Sequence, residues 1–132
     1  MSETGRVFDL PSYVDRLMRA SDSYAFLVVT IAGTDDFIQL SGGPTGVQLD
    51  FPLVSSRQCS LETRIREAAA SARLPLVENT GSNGARFLDL YLDGDAQSLA
   101  ASCSQMLRQV FNVSGDSQLI FEHDGLAVDD YA

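Results

Sequence analysis

Residues 37–54, FIQLSGGPTGVQLDFPLV, restrict the fold because apolar residues alternate with polar ones on both sides of a glycine-rich turn. Alternation with a period of two residues is typical of a strand with one buried face and one polar face. The apolar positions are Ile38, Leu40, Val47, Leu49 and Phe51, and the polar positions are Gln39, Gln48 and Asp50. The turn residues are Gly42, Gly43, Pro44 and Gly46. The pattern predicts two antiparallel strands joined as a hairpin.

Hydrophobic periodicity over the whole chain predicts an α+β fold with an antiparallel five-stranded sheet and three helices. The element order is α-β-β-β-α-β-β-α, followed by a C-terminal tail. The predicted strands are residues 24–32, 37–40, 46–54, 76–80 and 86–93. The first helix starts at Asp9, which is followed by Pro11, and ends near Ser21. The second starts at Ser55 or Ser60 and ends before Pro75. The third follows the cap Asp95 and continues to about Phe111. Residues 118–122 either add an edge strand or pack as a tail.

The length of 132 residues fits a single domain, residues 1–132, with one core. Residues 1–8 and 124–132 are expected to be flexible. The longest apolar run, residues 25–29, is far shorter than the roughly 20 residues of a membrane-spanning helix. The start, MSETGRVFDL, lacks the apolar region of a signal peptide. We therefore expect a cytoplasmic protein without membrane contact.

The charge balance restricts the partners. Eighteen acidic residues against nine basic ones, all of them Arg, give a net charge of −9. Nucleic-acid binding needs clustered basic side chains, so no nucleic acid partner is expected. Because the chain has no Lys, the glycine-rich turn cannot complete a P-loop, and Schiff-base chemistry lacks its amine. A protein partner with an exposed basic and apolar segment fits this surface best.

Few residues are suited to catalysis. His123 is the only histidine, so a histidine-based zinc site or a Ser-His-Asp triad lacks its partners, and we expect His123 at the surface. Cys59 and Cys103 do not form a Cys-x-x-Cys pair, and Cys103 falls on the apolar side of a predicted helix. We predict no catalytic residue, no metal and no cofactor.

One pair of acidic residues could nevertheless form a site. If Asn83-Gly84 is a two-residue turn, Glu78 lies directly opposite Asp89 on the neighbouring strand. Adjacent carboxylates share a proton or attract a cation, and Asp50 is a further acidic group that such a site could use. The alternative is that the carboxylates are solvated, lie beside an Arg, or are separated by a bulge that changes the strand register.

Four aromatic residues mark a second candidate surface. Tyr24, Phe26, Phe87 and Tyr91 have the strand parity of polar residues such as Asp89 and therefore belong to the outward face of the sheet. Exposed apolar patches usually mark partner surfaces, so we predict that these four residues bind a protein partner. The alternative is that the first helix or the tail folds back over them.

The element order, the size, the pI of about 4.3 and the lack of catalytic groups resemble those of the effector-dedicated chaperones of type III secretion. The resemblance covers residues 10–112. It implies a homodimer that binds an extended segment of a partner along helix and sheet surfaces. Immunity proteins that neutralise a basic toxin share the same gross features.

These observations lead us to expect a non-enzymatic, chaperone-like module that binds a protein partner and acts as a homodimer. Two alternatives stay open. One is an immunity-type inhibitor of a basic protein, and the other is a small-molecule or metal binder that uses Glu78 and Asp89.

Overall fold

A computed structural model describes residues 1–43 and 46–128. In these residues seven strands and four helices form a two-layer α+β fold. The strands are β1 Ser2–Gly5, β2 Phe26–Ile31, β3 Phe37–Gly43, β4 Gly46–Leu53, β5 Leu76–Thr80, β6 Arg86–Leu92 and β7 Leu119–Asp124. The helices are α1 Leu10–Met18, α2 Ser56–Ser60, α3 Glu62–Ser71 and α4 Ala96–Phe111, and a 3-10 turn, Val7–Asp9, precedes α1. Pro44 and Thr45 of the predicted hairpin turn and residues 129–132 of the predicted flexible end lie outside the described residues.

All seven strands belong to one antiparallel sheet with the order β1-β7-β2-β3-β4-β6-β5. The inward side chains of the sheet and the apolar sides of the helices form a single buried core. In the helix layer, α4 packs against both α1 and α3. The described helices therefore cover one face of the sheet. We call the opposite face, whose side chains come from the alternate strand positions, the open face.

The predicted five strands and three helices are wrong, although the α+β class is confirmed. The two missing strands are β1 and β7, which pair with each other and join the sheet through β2. The tail segment considered as an edge strand or a packed tail is thus an interior strand, and its Phe121 is fully buried. Residues 2–5, in the segment expected to be flexible, form the edge strand β1.

The predicted second helix is divided in two, which gives the fourth helix. Ser55 caps α2, since its hydroxyl accepts a hydrogen bond from the backbone N–H of Gln58 at 3.1 Å. The backbone N–H of Leu61 then donates to the carbonyl of Gln58, a tighter i to i−3 bond, and α3 starts at the next residue. The predicted start at Ser55 is therefore used, whereas Ser60 ends α2 and the residue that precedes α3 is Leu61.

Candidate functional site

Two aspartates form a pair on the open face. Asp50 of β4 lies directly opposite Asp89 of β6 in the strand register. Asp89 is only 2% exposed, although it projects from the side of the sheet that the described helices leave uncovered. A carboxyl buried in this way loses much of its hydration, so its hydrogen-bond partners determine what the pair can do.

The hydrogen bonds of this Asp pair are incomplete. Asn79 of β5 donates a side-chain hydrogen bond to Oδ2 of Asp89. The Oδ1 atoms of Asp50 and Asp89 are both buried, and in the described part of the chain no donor reaches either of them. Two carboxyl groups can hydrogen-bond to each other only when one carries a proton, because an ionised carboxylate only accepts. The geometry thus favours a pair that retains one proton.

Electrostatics supports this protonation. Burial raises the pKa of Asp50 from its usual 3.8 to about 8, and the hydrogen bond to Asp89 and the nearby Asp89 charge act in the same direction. Because the two carboxyls interact, the proton belongs to the pair, and the raised pKa favours a pair that holds one proton at neutral pH.

The described residues around the pair provide no counter-ion. The neighbours on the open face are uncharged: Gln39, Gln48, Pro52, Val77, Phe87 and Tyr91. None of the nine Arg residues occupies a strand position of this face. Arg86, the only Arg within a described strand, points to the helix side, where its guanidinium bonds Glu62 of α3 at 2.8 Å. The open face also carries Glu122 and Asp124, so the charged residues at its described strand positions are all acidic.

A pocket of about 350 Å³ lies beside the pair, lined by Ser41, Gly42, Gly46, Val47, Gln48, Tyr91, Leu92 and Asp93. Gln48 and Tyr91 connect the pocket to the pair, because each lies two residues from one of the aspartates on the same face. The pocket offers one further carboxylate, Asp93, and the half-exposed ring of Tyr91. A side chain that entered it would contact Gln48 and Tyr91, which separate the pocket from the Asp pair.

The predicted opposition of Glu78 and Asp89 is wrong, because the hairpin register differs by one residue. Val77 faces Asp89, and Glu78 faces Leu88. The turn has three residues, Ser82–Asn83–Gly84, closed by the backbone bond from Gly81 N–H to the Ala85 carbonyl at 2.7 Å. Gly84 takes the left-handed conformation, with φ of +84°, that such a turn requires. A one-residue shift moves a side chain to the other face of a sheet.

Glu78 consequently belongs to an ion network on the helix side. Its carboxylate accepts hydrogen bonds from Arg66 of α3 at 2.7 Å and from Arg86 of β6 at 2.9 Å. The hydrogen bond from Arg86 is the main reason that the pKa of Glu78 is lowered. This residue ties α3 to the β5–β6 hairpin and does not meet Asp89. Of the sequence-based alternatives, a neighbouring Arg is the one that describes the position of Glu78.

The four aromatic residues predicted as a partner surface do not form one continuous patch. Phe26, Phe87 and Tyr91 occupy open-face strand positions, whereas Tyr24 precedes β2 in a turn and is 88% exposed. Phe26 and Tyr91 lie in the same row across the sheet but three strands apart, which is about 14 Å. The described end of the tail does not cover them, since Ala127 bonds the backbone of Arg16 in α1. Their role as partner-binding residues remains a prediction.

His123 was expected at the surface, and this is wrong. Its side chain is 5% exposed, lies on the inward face of β7 and bonds Glu3 of β1 through Nε2 at 3.0 Å. Leu119, Phe121 and His123 are the inward positions of β7. The sequence did not indicate this, because the polar residue at 123 interrupts the apolar alternation that would have marked a buried face. Cys103 is buried in the core, and burial raises the pKa of its thiol to about 12.

Within residues 1–43 and 46–128, no group of three or more His, Cys, Asp or Glu side chains is arranged to hold a metal ion. None of the helices in that part of the chain is long and apolar enough to cross a membrane. No protein-family model matches this chain, and neither does any curated protein or solved structure. The open face and its Asp pair are therefore the features from which we infer a function.

Proposed function

We propose that the protein is a non-catalytic binding module that holds a basic and partly apolar segment of another protein on its open face. The observation that carries this proposal is a sheet face uncovered by the described chain, which bears aromatic and acidic side chains and no Arg. Uncovered apolar side chains on a soluble surface usually mark a partner site. The acidic groups indicate which partner that would be.

Charge complementarity favours a basic partner. The open face combines Glu122, Asp124 and the Asp50–Asp89 pair, while the Arg side chains lie on helices, in loops or on the helix side of β6. Complementary potentials increase association rates and reject partners of like charge. A segment with alternating basic and apolar residues could match the alternation of Phe87, Asp89 and Tyr91 along β6.

The same charge argues against two open faces that pack against each other in a symmetric dimer. In an isologous contact each acidic group would meet an equally acidic surface, which is unfavourable. If the protein is the homodimer that the resemblance to type III secretion chaperones implies, the dimer contact would use another surface and leave the open face for the partner. Immunity-type inhibition of a basic protein would need the same face and the same chemistry.

An acid–base enzyme is the less favoured function, although paired carboxyls that share a proton do serve in catalysis. In such enzymes both carboxyls reach the reacting atoms. Here Asp89 is 2% exposed and Asn79 caps one of its oxygens. Binding through the exposed neighbours of the pair is therefore better supported than chemistry at Asp89.

The test is selection of ligands from a random peptide library displayed on phage, with the whole protein as bait. We expect the selected peptides to combine Arg or Lys with apolar residues, and to shift backbone NMR signals of the open-face strands. Tyr91→Ser should weaken binding of a selected peptide by about tenfold or more. Phe8→Ser is the matched control, because Phe8 is also an exposed aromatic, 91% exposed, but lies next to α1.

Two results would contradict the proposal. Selected peptides could be acidic or uncharged, or they could shift signals of the helix layer and respond equally to the Phe8 and Tyr91 variants. Size-exclusion chromatography with light scattering determines the oligomeric state separately. A dimer whose assembly is broken by Tyr91→Ser would show that the open face serves self-association instead.

A further inference from the structure

We infer that the β5 edge of the sheet is a dimer interface, at which a second copy of this chain adds its own β5 in antiparallel orientation. Val77 lies on the two-fold axis and faces Val77 of the second copy. The two sheets then form one continuous sheet, with both open faces on the same side. This dimer contact is separate from the partner site of the proposed function and does not depend on it.

The first support is a row of backbone groups on the outer side of β5 that no described strand uses. Within residues 1–43 and 46–128, β5 pairs only with β6. The bond from Gly81 N–H to the Ala85 carbonyl places Gly81 at a hydrogen-bonded position of this ladder, and positions 79 and 77 repeat it. The residues whose backbone N–H and C=O groups point away from β6 are therefore Leu76, Glu78 and Thr80. Such an edge is a template for a further strand.

The second support is that β5 lacks the features that usually keep sheet edges apart, such as Lys, Pro, a bulge or an unpaired charge. Its register with β6 is continuous over five residue pairs. Its only charged residue, Glu78, accepts hydrogen bonds from Arg66 and Arg86 of its own chain. The side chain of Val77 is 44% exposed on the open face, so an apolar group lies where an added strand would cover it.

The third support is the charge around this edge, which suits a second copy of an acidic chain. Residues 62–86 contain four Arg and three Glu, a net charge of +1, although the whole chain has a net charge of −9. At the opposite edge, residues 2–9 and 119–124 of β1 and its surroundings contain one Arg and four acidic residues. Two copies that approach through β5 therefore meet less repulsion than two copies that approach through β1.

Side-chain matching selects the register of the two β5 strands. Outward backbone groups must face each other, so Leu76 pairs with Glu78 of the second copy and Glu78 pairs with its Leu76. The two Val77 side chains then meet between these pairs, at a closely spaced position without hydrogen bonds. The next register along the strand would set Glu78 opposite Glu78 and Val77 opposite Asn79. It is less favourable, because it places like charges directly opposite each other.

The contact is small, because each copy contributes an edge strand of five residues. Interfaces that bury less than roughly 1,200 Å² are usually weak or transient. We therefore expect a reversible dimer, whose fraction increases with protein concentration.

The first experiment combines amide hydrogen exchange, measured by NMR, with light scattering over a range of protein concentrations. Where the mass is that of a dimer, we expect the Leu76 and Glu78 amides to exchange at least about tenfold more slowly than the Thr80 amide, since interchain bonds protect them. Thr80 is the internal control, because its amide also points outward but lies beyond the paired residues. A monomer at every concentration, or a dimer in which all three amides exchange equally fast, would overturn the inference.

The second experiment tests the two-fold position with Val77→Cys. The background is Cys59→Ser, because Cys59 is the exposed native thiol and Cys103 is buried. The two introduced thiols face each other with Cα atoms about 4.5 Å apart, which suits a disulfide. Thr80→Cys is the matched control on the same strand, since the two copies of position 80 lie about 20 Å apart in this register.

We expect mild oxidation to link Val77→Cys into a disulfide-bonded dimer at least about tenfold faster than Thr80→Cys, because only position 77 has the required geometry. Equal rates, or faster linkage of Thr80→Cys, would overturn the inference.

The outcomes also distinguish the dimer from the proposed function. A selected basic peptide that slows exchange of the Leu76 and Glu78 amides in a monomer would assign the β5 edge to a partner strand and contradict the dimer. A dimer with these amides protected, together with a peptide library that yields no open-face ligand, would support the dimer and contradict the proposed function.

Discussion

Asp50 and Asp89 lie directly opposite each other on neighbouring strands, β4 and β6, and share one face of the sheet without a described basic side chain between them. Like charges in facing strand positions destabilise a sheet. Retention of a proton on Asp50 relieves this repulsion. The pair therefore ties the stability of the fold to pH.

The free energy of unfolding should decrease as the pH rises through neutrality. The pKa of Asp50 is raised in the folded protein, so between 3.8 and about 8 the folded state holds a proton that the unfolded chain has lost. The stabilisation that this proton provides is fully present below the pKa of Asp50 in the unfolded chain and is lost as the pH rises through its pKa in the folded protein. The free energy of unfolding therefore falls by at most about 1.4 kcal/mol per pH unit. Urea denaturation of the wild type and Asp50→Asn from about pH 5 to about pH 8 measures it. The variant should show a smaller slope, and equal slopes would contradict the assignment.

Gly84→Ala should destabilise the protein by about 1 kcal/mol, because Gly84 holds a left-handed backbone that alanine adopts only with strain. Its added Cβ would meet no atom within 4 Å, so the effect comes from the backbone alone. Gly115→Ala is the matched control, since that position is equally open but has no left-handed φ. Thermal or urea unfolding compares the two variants. Equal losses would count against the three-residue turn.

Arg73→Gly should stabilise the protein by up to about 1 kcal/mol. Arg73 follows α3 with φ of +57°, and the backbone bond from Leu74 N–H to the Ala69 carbonyl closes a Schellman motif around it. Glycine is the usual residue at this position, since it has no Cβ to strain the left-handed conformation. Arg73→Ala is the control, because it removes the charge and keeps the strain. A stabilisation of both variants by the same amount would assign the effect to charge.

Phe121→Ala should cost about 3–5 kcal/mol, the range for a large core residue. Phe121 is fully buried on β7 and stacks on Tyr13 of α1, with ring centroids 4.2 Å apart. Phe8→Ala, at a position 91% exposed, should stay within about 0.5 kcal/mol of the wild type. Chemical denaturation of both variants gives the comparison. A small effect at Phe121 would mean that β7 is not an interior strand.

The strands with strong local patterns could be predicted from the sequence. The strand β5 was predicted with the bounds that it has, and β6 nearly so, since Leu88, Leu90 and Leu92 alternate and turns flank them. The strand β1 could not be predicted in this way, because Ser2–Gly5 is polar and forms a strand only by pairing with β7, which lies more than a hundred residues later. Such pairing is a tertiary effect that local periodicity does not contain.

The candidate site was predicted only in part, because the register of β5 against β6 differs by one residue from the predicted register. Asp89 and Asp50 were both recognised as acidic groups on the polar side of the sheet, but Asp89 was paired with Glu78 across the wrong turn. The sequence around Asn83-Gly84 is compatible with the backbone conformations of both a two-residue and a three-residue loop, so it does not determine the strand register. The pairing of β4 with β6 brings Asp50 to Asp89. A helical segment separates these strands along the chain, so their pairing leaves no pattern in the local sequence.

The two cysteines differ in a way that has a practical use. Cys103 is buried in the core, which raises the pKa of its thiol to about 12. Cys59 is exposed on α2, and this helix packs against β4 from the helix layer. A maleimide dye should therefore label Cys59 alone in the native protein. Because the fluorophore would sit on the reverse side of the sheet, it could report peptide capture without obstructing it.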